Sequence, residues 1–154
     1  MRPRNQTVQD ALHAAGVEGE IRLLDEHART AVLAAEQLGC PVGAIANSLV
    51  FLADGEPLLV MASGAARVDT AVVAAAVGAG EVTKASADQV RAATGQVIGG
   101  VAPTGHPAPL RTLVDEDLRV HDEIWAAGGT PDSIVPLTFE ELVRVTGGEV
   151  ARVR

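Results

Sequence analysis

Ile45-Ala46-Asn47-Ser48-Leu49-Val50-Phe51-Leu52-Ala53-Asp54-Gly55-Glu56-Pro57-Leu58-Leu59-Val60-Met61-Ala62 reads as two apolar runs joined by a polar turn. Asp-Gly between such runs is a strong hairpin signal, because a two-residue turn of that kind needs positive φ at both central positions. Ile45 to Ala53 and Leu58 to Ala62 are therefore expected as paired strands. Side chains alternate along a strand, so Asn47 shares a face with Leu49 and Phe51. If that face looks into the core, Asn47 lies at its edge, where a pocket can open. The alternative is that Asn47 caps the strand or points to solvent.

Outward from the hairpin, short helices and short strands interleave. On the N-terminal side, Asn5 to Ala15 has Val8 and Leu12 on one face with Gly16 just beyond. Glu20 to Leu24 is a strand candidate. Ala28, Ala31, Ala35 and Leu38 recur at helical spacing, with Thr30 near the start and Gly39 at the stop. On the C-terminal side, Asp69 is a plausible N-cap for Thr70 to Val77, with Gly78 closing the helix. Val82 to Lys84 can be a short strand. Ser86 to Gln89 has the form of a capping box and opens a helix ending at Gly95. Leu110 to Val114, Ile134 to Leu137 and Val150 to Val153 are further strand candidates. Thr138 to Glu141 is a second capping box, for a helix that stops at Gly147. Mixed short elements around a hairpin predict an α+β fold with a mixed sheet.

Composition sets the boundaries. The 154 residues are 47% apolar but only 2% aromatic, so the core must be built from Val, Leu, Ile and Ala. Single domains commonly run about 100–200 residues, and residues 1–154 are expected to form one. One cysteine excludes an internal disulfide. Cys40 is expected to be a small core hydrophobe rather than a nucleophile. No signal peptide or long apolar run is visible, which points to the cytoplasm and away from a membrane. A net charge of −8 repels polyanions in bulk. A broad DNA or RNA footprint is therefore not expected, although a local grip on the end of a nucleic acid is compatible with it.

The chemistry concentrates in Thr94-Gly95-Gln96-Val97-Ile98-Gly99-Gly100-Val101-Ala102-Pro103-Thr104-Gly105-His106-Pro107. Four glycines, two prolines and almost no charge suit neither a helix nor a solvated linker. Val97, Ile98 and Val101 should pin the loop to a core and hold its amides in place. Such donors can grip a carbonyl oxygen or a phosphate; a purely structural crossover loop is the other reading. Metal binding is not supported, since His13, His27, His106 and His121 show no ligand spacing. Asp115-Glu116-Asp117 lacks the pattern of a calcium loop and reads as a solvated turn. No G-x-S-x-G elbow, Walker loop or G-x-G-x-x-G after a strand occurs. His106 is the best-placed ionisable group near the loop, as a polar pocket wall or acid–base group, or else as a brace for the loop. What survives is main-chain chemistry: amides holding an ester carbonyl and the oxyanion formed on its hydrolysis.

The order of these motifs resembles the YbaK/EbsC family, relatives of the editing domain inserted in prolyl-tRNA synthetases. The landmarks run from about Thr30 to Val153: Ala46 to Phe51, Ala62-Ser63-Gly64 with Arg67-Val68-Asp69, Thr94-Gly95 leading to Gly99 through Pro103, Gly105-His106-Pro107, Val114-Asp115-Glu116, and Trp125 through Pro131. The resemblance implies a curved, barrel-like mixed sheet flanked by short helices. It also implies trans-editing hydrolysis of a mischarged small amino acid from tRNA, with no cofactor. Gly99, Gly100 and Val101 would present amides, and Asn47 would stand where the family usually has lysine. Thr30, Pro103, Thr104, His106, Ala127 and Gly128 would surround the substrate. The partners implied are an aminoacyl-tRNA acceptor end and a synthetase, with no membrane and no DNA.

Two departures qualify that picture. Asn47 has two N–H donors but no charge, and losing one charge-assisted contact costs on the order of 1.5–3 kcal/mol. Arg67 or Lys84 could supply the missing cation. Alternatively, the chain is a weakened module that binds an aminoacyl end or small ligand. Ala127 stands where cysteinyl-tRNA deacylases of the group often have serine, which argues against specificity for cysteine.

Overall fold

A computed structural model of the chain describes residues 2–24 and 30–154. The elements in chain order are α1 (Pro3–Ala14), β1 (Arg22–Leu23), α2 (Ala31–Leu38), β2 (Ile45–Ala53), β3 (Glu56–Ser63), α3 (Thr70–Val77), β4 (Val82–Lys84), α4 (Ala87–Thr94), β5 (Arg111–Asp115), β6 (Ile124–Ala127), β7 (Ser133–Leu137), α5 (Phe139–Thr146) and β8 (Glu149–Ala151). Short 3-10 turns at Val42–Ala44 and Glu116–Val120 complete the set.

The hairpin forms as expected. β2 and β3 pair antiparallel over their whole length, from Ala46 opposite Ser63 to Ala53 opposite Glu56. Asp54 and Gly55 take φ of 49° and 85°, the doubly left-handed turn whose twist matches the flanking strands. Thr30, Asp69, Ser86 and Thr138 each accept a hydrogen bond from a first-turn amide of the helix they precede. Helices α2 to α5 stop at Gly39, Gly78, Gly95 and Gly147. Ala28 of the expected α2 stretch lies outside the described residues, as does His27.

All eight strands join one mixed sheet, ordered β1-β7-β6-β2-β3-β5-β8, with β4 also on β2. Among the described residues the sheet does not close, and β1 and β8 are its ends. Ile124–Ala127, which carried no strand expectation, pairs parallel with β2 and antiparallel with β7. The C-terminal strand is shifted from Val150–Val153 to Glu149–Ala151, and Val153 is instead fully buried in the core.

The two faces of β2 and β3 bury different sets. Ala46, Val50, Leu59 and Met61 join Val8 and Leu12 of α1, Val90 of α4 and Leu142 of α5. On the opposite face, Ile45 packs with Ala34 and Ala35 of α2, while Phe51, Leu58 and Val60 pack with Val73 and Val77 of α3. Cys40 is half-buried against the α2 cluster. Burial pushes its thiol pKa up, so it stays protonated, a packing residue and a poor nucleophile.

Asp115 departs from the solvated turn expected of it. Its carboxylate is buried and accepts from the amides of Ser63 (2.9 Å) and Asp117 (2.9 Å), tying the end of β3 to the turn after β5. An acidic run is a poor guide here because the buried members and the exposed ones are adjacent in sequence.

Candidate active site

The site follows from a gap in the sheet. One edge of β2 is covered by β3; the other is shared by β6, opposite Ile45 and Ala46, and β4, opposite Phe51 to Ala53. Between them Asn47, Ser48 and Leu49 have no strand partner on that edge among the described residues. On the outer face α2 packs on Ile45 and α3 on Phe51, and among the described residues neither cluster extends over Asn47 or Leu49. Asn47 shares its face with Leu49 and Phe51, as alternation requires.

The segment after α4 faces this gap. Val97 to Gly100 is a tight turn, with the Gly100 amide donating to the Val97 carbonyl at 2.9 Å. Gly99 takes φ of 87° at the third position, where a side chain would be strained. Gly100 is glycine for a different reason. A Cβ there would lie 2.6 Å from the Thr130 carbonyl carbon and 2.7 Å from the Pro131 nitrogen. The turn therefore rests directly on a second glycine-rich bend, Gly128-Gly129-Thr130-Pro131.

Side chains brace the loop from behind. The buried Gln96 accepts from the Ala102 amide at 2.8 Å, and the Thr94 hydroxyl accepts from the Gln96 amide at 3.0 Å. His106 Nε2 donates to the Ala102 carbonyl at 2.8 Å, which sets the neutral ring as the Nε2–H tautomer. Burial lowers the pKa of His106 below its ordinary 6.5, outweighing that hydrogen bond, which acts in the opposite direction.

A cavity of about 480 Å³ opens between the turn and β2, within the range of small-ligand sites. Asn47, Gly99, Val101, Ala127 and Thr30 all line it. Ala31, Ala34, Ile45 and Ile134 make the wall small and apolar. The amides of Ile98, Gly99 and Val101 have no hydrogen-bond partner among the described residues. No Lys or Arg is among the described residues that line this cavity.

The other expected site residues lie elsewhere. The Gly100 amide is spent within the turn, and its backbone packs on Thr130, so it is a support rather than a donor. Pro103, Thr104 and His106 line a separate depression with Val145 and Thr146. His106 braces the loop through the Ala102 carbonyl and does not wall the cavity. Gly128 is buried, and its carbonyl accepts from Asn5 Nδ2 at 2.9 Å.

Asn5 is the residue that sequence reasoning missed. It is fully buried, and it also donates to Thr130 Oγ1 at 3.1 Å, so α1 holds the bend on which Gly100 rests. Asn5, Val8, Gln9 and Leu12 are the buried residues of α1. A polar side chain on an apolar stripe was the available signal.

The family model of the aminoacyl-tRNA editing domain matches residues 25–145. The chain belongs to this family. Among solved structures, the editing-domain chain superposes with a TM-score of 0.94 and 39% identity on a candidate trans-editing enzyme for prolyl tRNA synthetase, covering 100% of this chain and 98% of that one. It is 29% identical over 126 residues to the uncharacterized protein YwhH of Bacillus subtilis (strain 168), covering 81% of this chain and 80% of that protein. It is also 32% identical over 114 residues to the proline-tRNA ligase of Oleidesulfovibrio alaskensis, covering 74% of this chain. The editing domain spans only 19% of that ligase's length. Among the described residues no helix is long and apolar enough to cross a membrane.

Proposed function

We propose that residues 1–154 act as one domain that hydrolyses, in trans, the ester joining a small mischarged amino acid to the 3′ end of a tRNA. The single observation carrying this reading is that Gly99 and Val101 line a small cavity and that their amides have no hydrogen-bond partner among the described residues. Family membership supplies the substrate class, and the prolyl-tRNA synthetase kinship of the relatives suggests that synthetase as a partner.

Water adds to the acyl carbon, and the carbonyl electron pair moves onto oxygen. The amides of Gly99 and Val101 take up that oxyanion; each donor of this kind contributes roughly 10²–10³ in rate. The acyl carbon–ribose oxygen bond then breaks, and the ribose oxygen leaves with a proton from the water. A free amino acid and an uncharged tRNA result. The neighbouring ribose hydroxyl orients the water, so no protein nucleophile is needed. Asn47 offers its amide N–H groups to the ribose. The small apolar wall of Ala31, Ala34 and Ala127 favours short side chains on the substrate.

A second reading draws on the neutral Asn47 and the lack of a lining cation: a binding module without turnover. Purified tRNAs charged with alanine, serine, threonine or cysteine separate the two. Deacylation above the uncatalysed rate is expected for at least one. No hydrolysis of any, with saturable binding of an aminoacyl-adenosine analogue, would favour the second reading. Asn47→Lys is then expected to create activity under the binding reading, and to tighten substrate roughly ten- to a hundredfold under the hydrolytic one.

A further inference from the structure

A second cavity, of about 520 Å³, adjoins the first. The two share Ser48, Leu49, Ile98 and Val101. Leu49 and Ile98 are 37% and 60% exposed, so the boundary between the cavities is an apolar ridge open to solvent.

The two cavities differ in charge. Arg67 and Lys84 line the second, and no carboxylate is among its lining residues. Lys84 is held opposite Phe51 by the pairing of β4 with β2. Arg67 follows the end of β3 by four residues. The ion pairs among the described residues are Arg2–Asp132 and Arg154–Asp117, so neither cation is consumed by a carboxylate there. Two available cations beside an apolar ridge reverse, locally, the sign of a chain whose net charge is −8.

We propose that the second cavity is a phosphate subsite. It takes the phosphate on the 5′ side of the nucleoside whose 3′ end delivers an acyl ester to the first cavity. This rests on the hydrolytic or binding reading of the first cavity, both of which involve an acylated nucleoside. An ester on the 3′ oxygen and a phosphate on the 5′ oxygen leave opposite sides of one ribose. A ligand with its acyl group in the first cavity must therefore carry its phosphate across the ridge. Leu49 and Ile98 give the sugar and base an apolar surface to lie on. Arg67 offers a planar fork suited to phosphate oxygens, and Lys84 a compact charge. Together they supply the charge that Asn47 lacks, from a different wall.

The test is isothermal titration of the whole chain with adenosine, adenosine 5′-monophosphate and the trinucleotide CCA. The monophosphate is expected to bind roughly tenfold or more tightly than adenosine. That ratio should fall to about one in the R67Q/K84Q variant, and in the wild type at high salt. Arg67 and Lys84 are exposed, so the variant should fold, and the salt arm gives a reading even if it does not. CCA binding at least as tightly as the monophosphate identifies the tRNA end as the phosphate source; weaker CCA binding identifies a free nucleotide. Equal affinity for adenosine and its monophosphate overturns the proposal, as does a ratio unchanged in the variant. Deacylation is read separately. Turnover with no phosphate preference sinks this subsite alone, whereas phosphate preference without turnover sinks the hydrolytic reading alone.

Discussion

Gly99 and Gly100 are adjacent and both glycine, yet they answer different demands. Alanine at Gly99 meets open space but must hold φ of 87°, a cost of about 1–2 kcal/mol. Alanine at Gly100 meets main-chain atoms of Thr130 and Pro131 that have no room to move aside, at 2.6 Å and 2.7 Å. Overpacking of that kind costs about 1–3 kcal/mol and displaces the turn. Deacylation by Gly100→Ala should fall at least tenfold, and by more than in Gly99→Ala, at matched folded fraction from denaturant titration. The reverse ranking would mean that the turn does not lean on the bend. His106 sets a pH dependence of stability. Its folded pKa lies below the ordinary 6.5, so the unfolded chain binds the proton first as pH falls. The native state therefore loses stability as pH drops through 6.5 toward the folded pKa, and gains nothing further well above 6.5. Melting temperatures across pH 5 to 8 should decline on the acid side more steeply in the wild type than in His106→Gln. Parallel curves would show that the ring is not held neutral.

At the scale of elements, the sheet gap and the paired glycine-rich segments make the site together. β6 and β4 divide one edge of β2, α2 and α3 divide one face, and the middle left uncovered among the described residues is Asn47 to Leu49. Helix α1 takes part from a distance through Asn5, which bonds Gly128 and Thr130 and thereby steadies the support under Gly100. Asn5→Ala removes two buried hydrogen bonds and leaves a buried carbonyl unpaired, a loss of about 2–4 kcal/mol. Turnover should fall as well, while the melting transition stays cooperative. A variant with unchanged stability and turnover would show that α1 does not hold the bend. Most element boundaries were legible beforehand because their signals are local: Ser86 and Gln89, Thr138 and Glu141, Asp54 and Gly55 all act within four residues. Strand β6 was not legible. Ile124 to Ala127 has no alternation and becomes a strand only by lying between β2 and β7.

At the scale of the whole molecule, the acidic surface restricts how a nucleic acid can approach. With net charge −8 and two cations facing the second cavity, contact should be confined to the terminal nucleotides. Each neutralised phosphate on a single strand contributes a slope of about −0.7 to log affinity against log salt. The one phosphate held in the second cavity gives a slope of about −0.7 for binding of tRNA, measured by titration between low and moderate salt. A slope near −4 would reveal a broad footprint on some other face. Local patterns in the chain were enough to determine the α+β class, the hairpin, the caps and the glycine-rich loop as the place where main-chain donors gather. Such patterns rest on φ preferences and side-chain periods, which operate between near neighbours. Tertiary structure alone decided which donors are free among the described residues: the Gly100 amide closes a turn, the Gln96 side chain engages Ala102, and the amides of Ile98, Gly99 and Val101 remain. It also turned His106 away from the cavity and buried Asn5 against the bend. Hydrogen bonds and contacts between residues far apart in sequence exist only once the sheet has brought them together, so no local pattern could have assigned them.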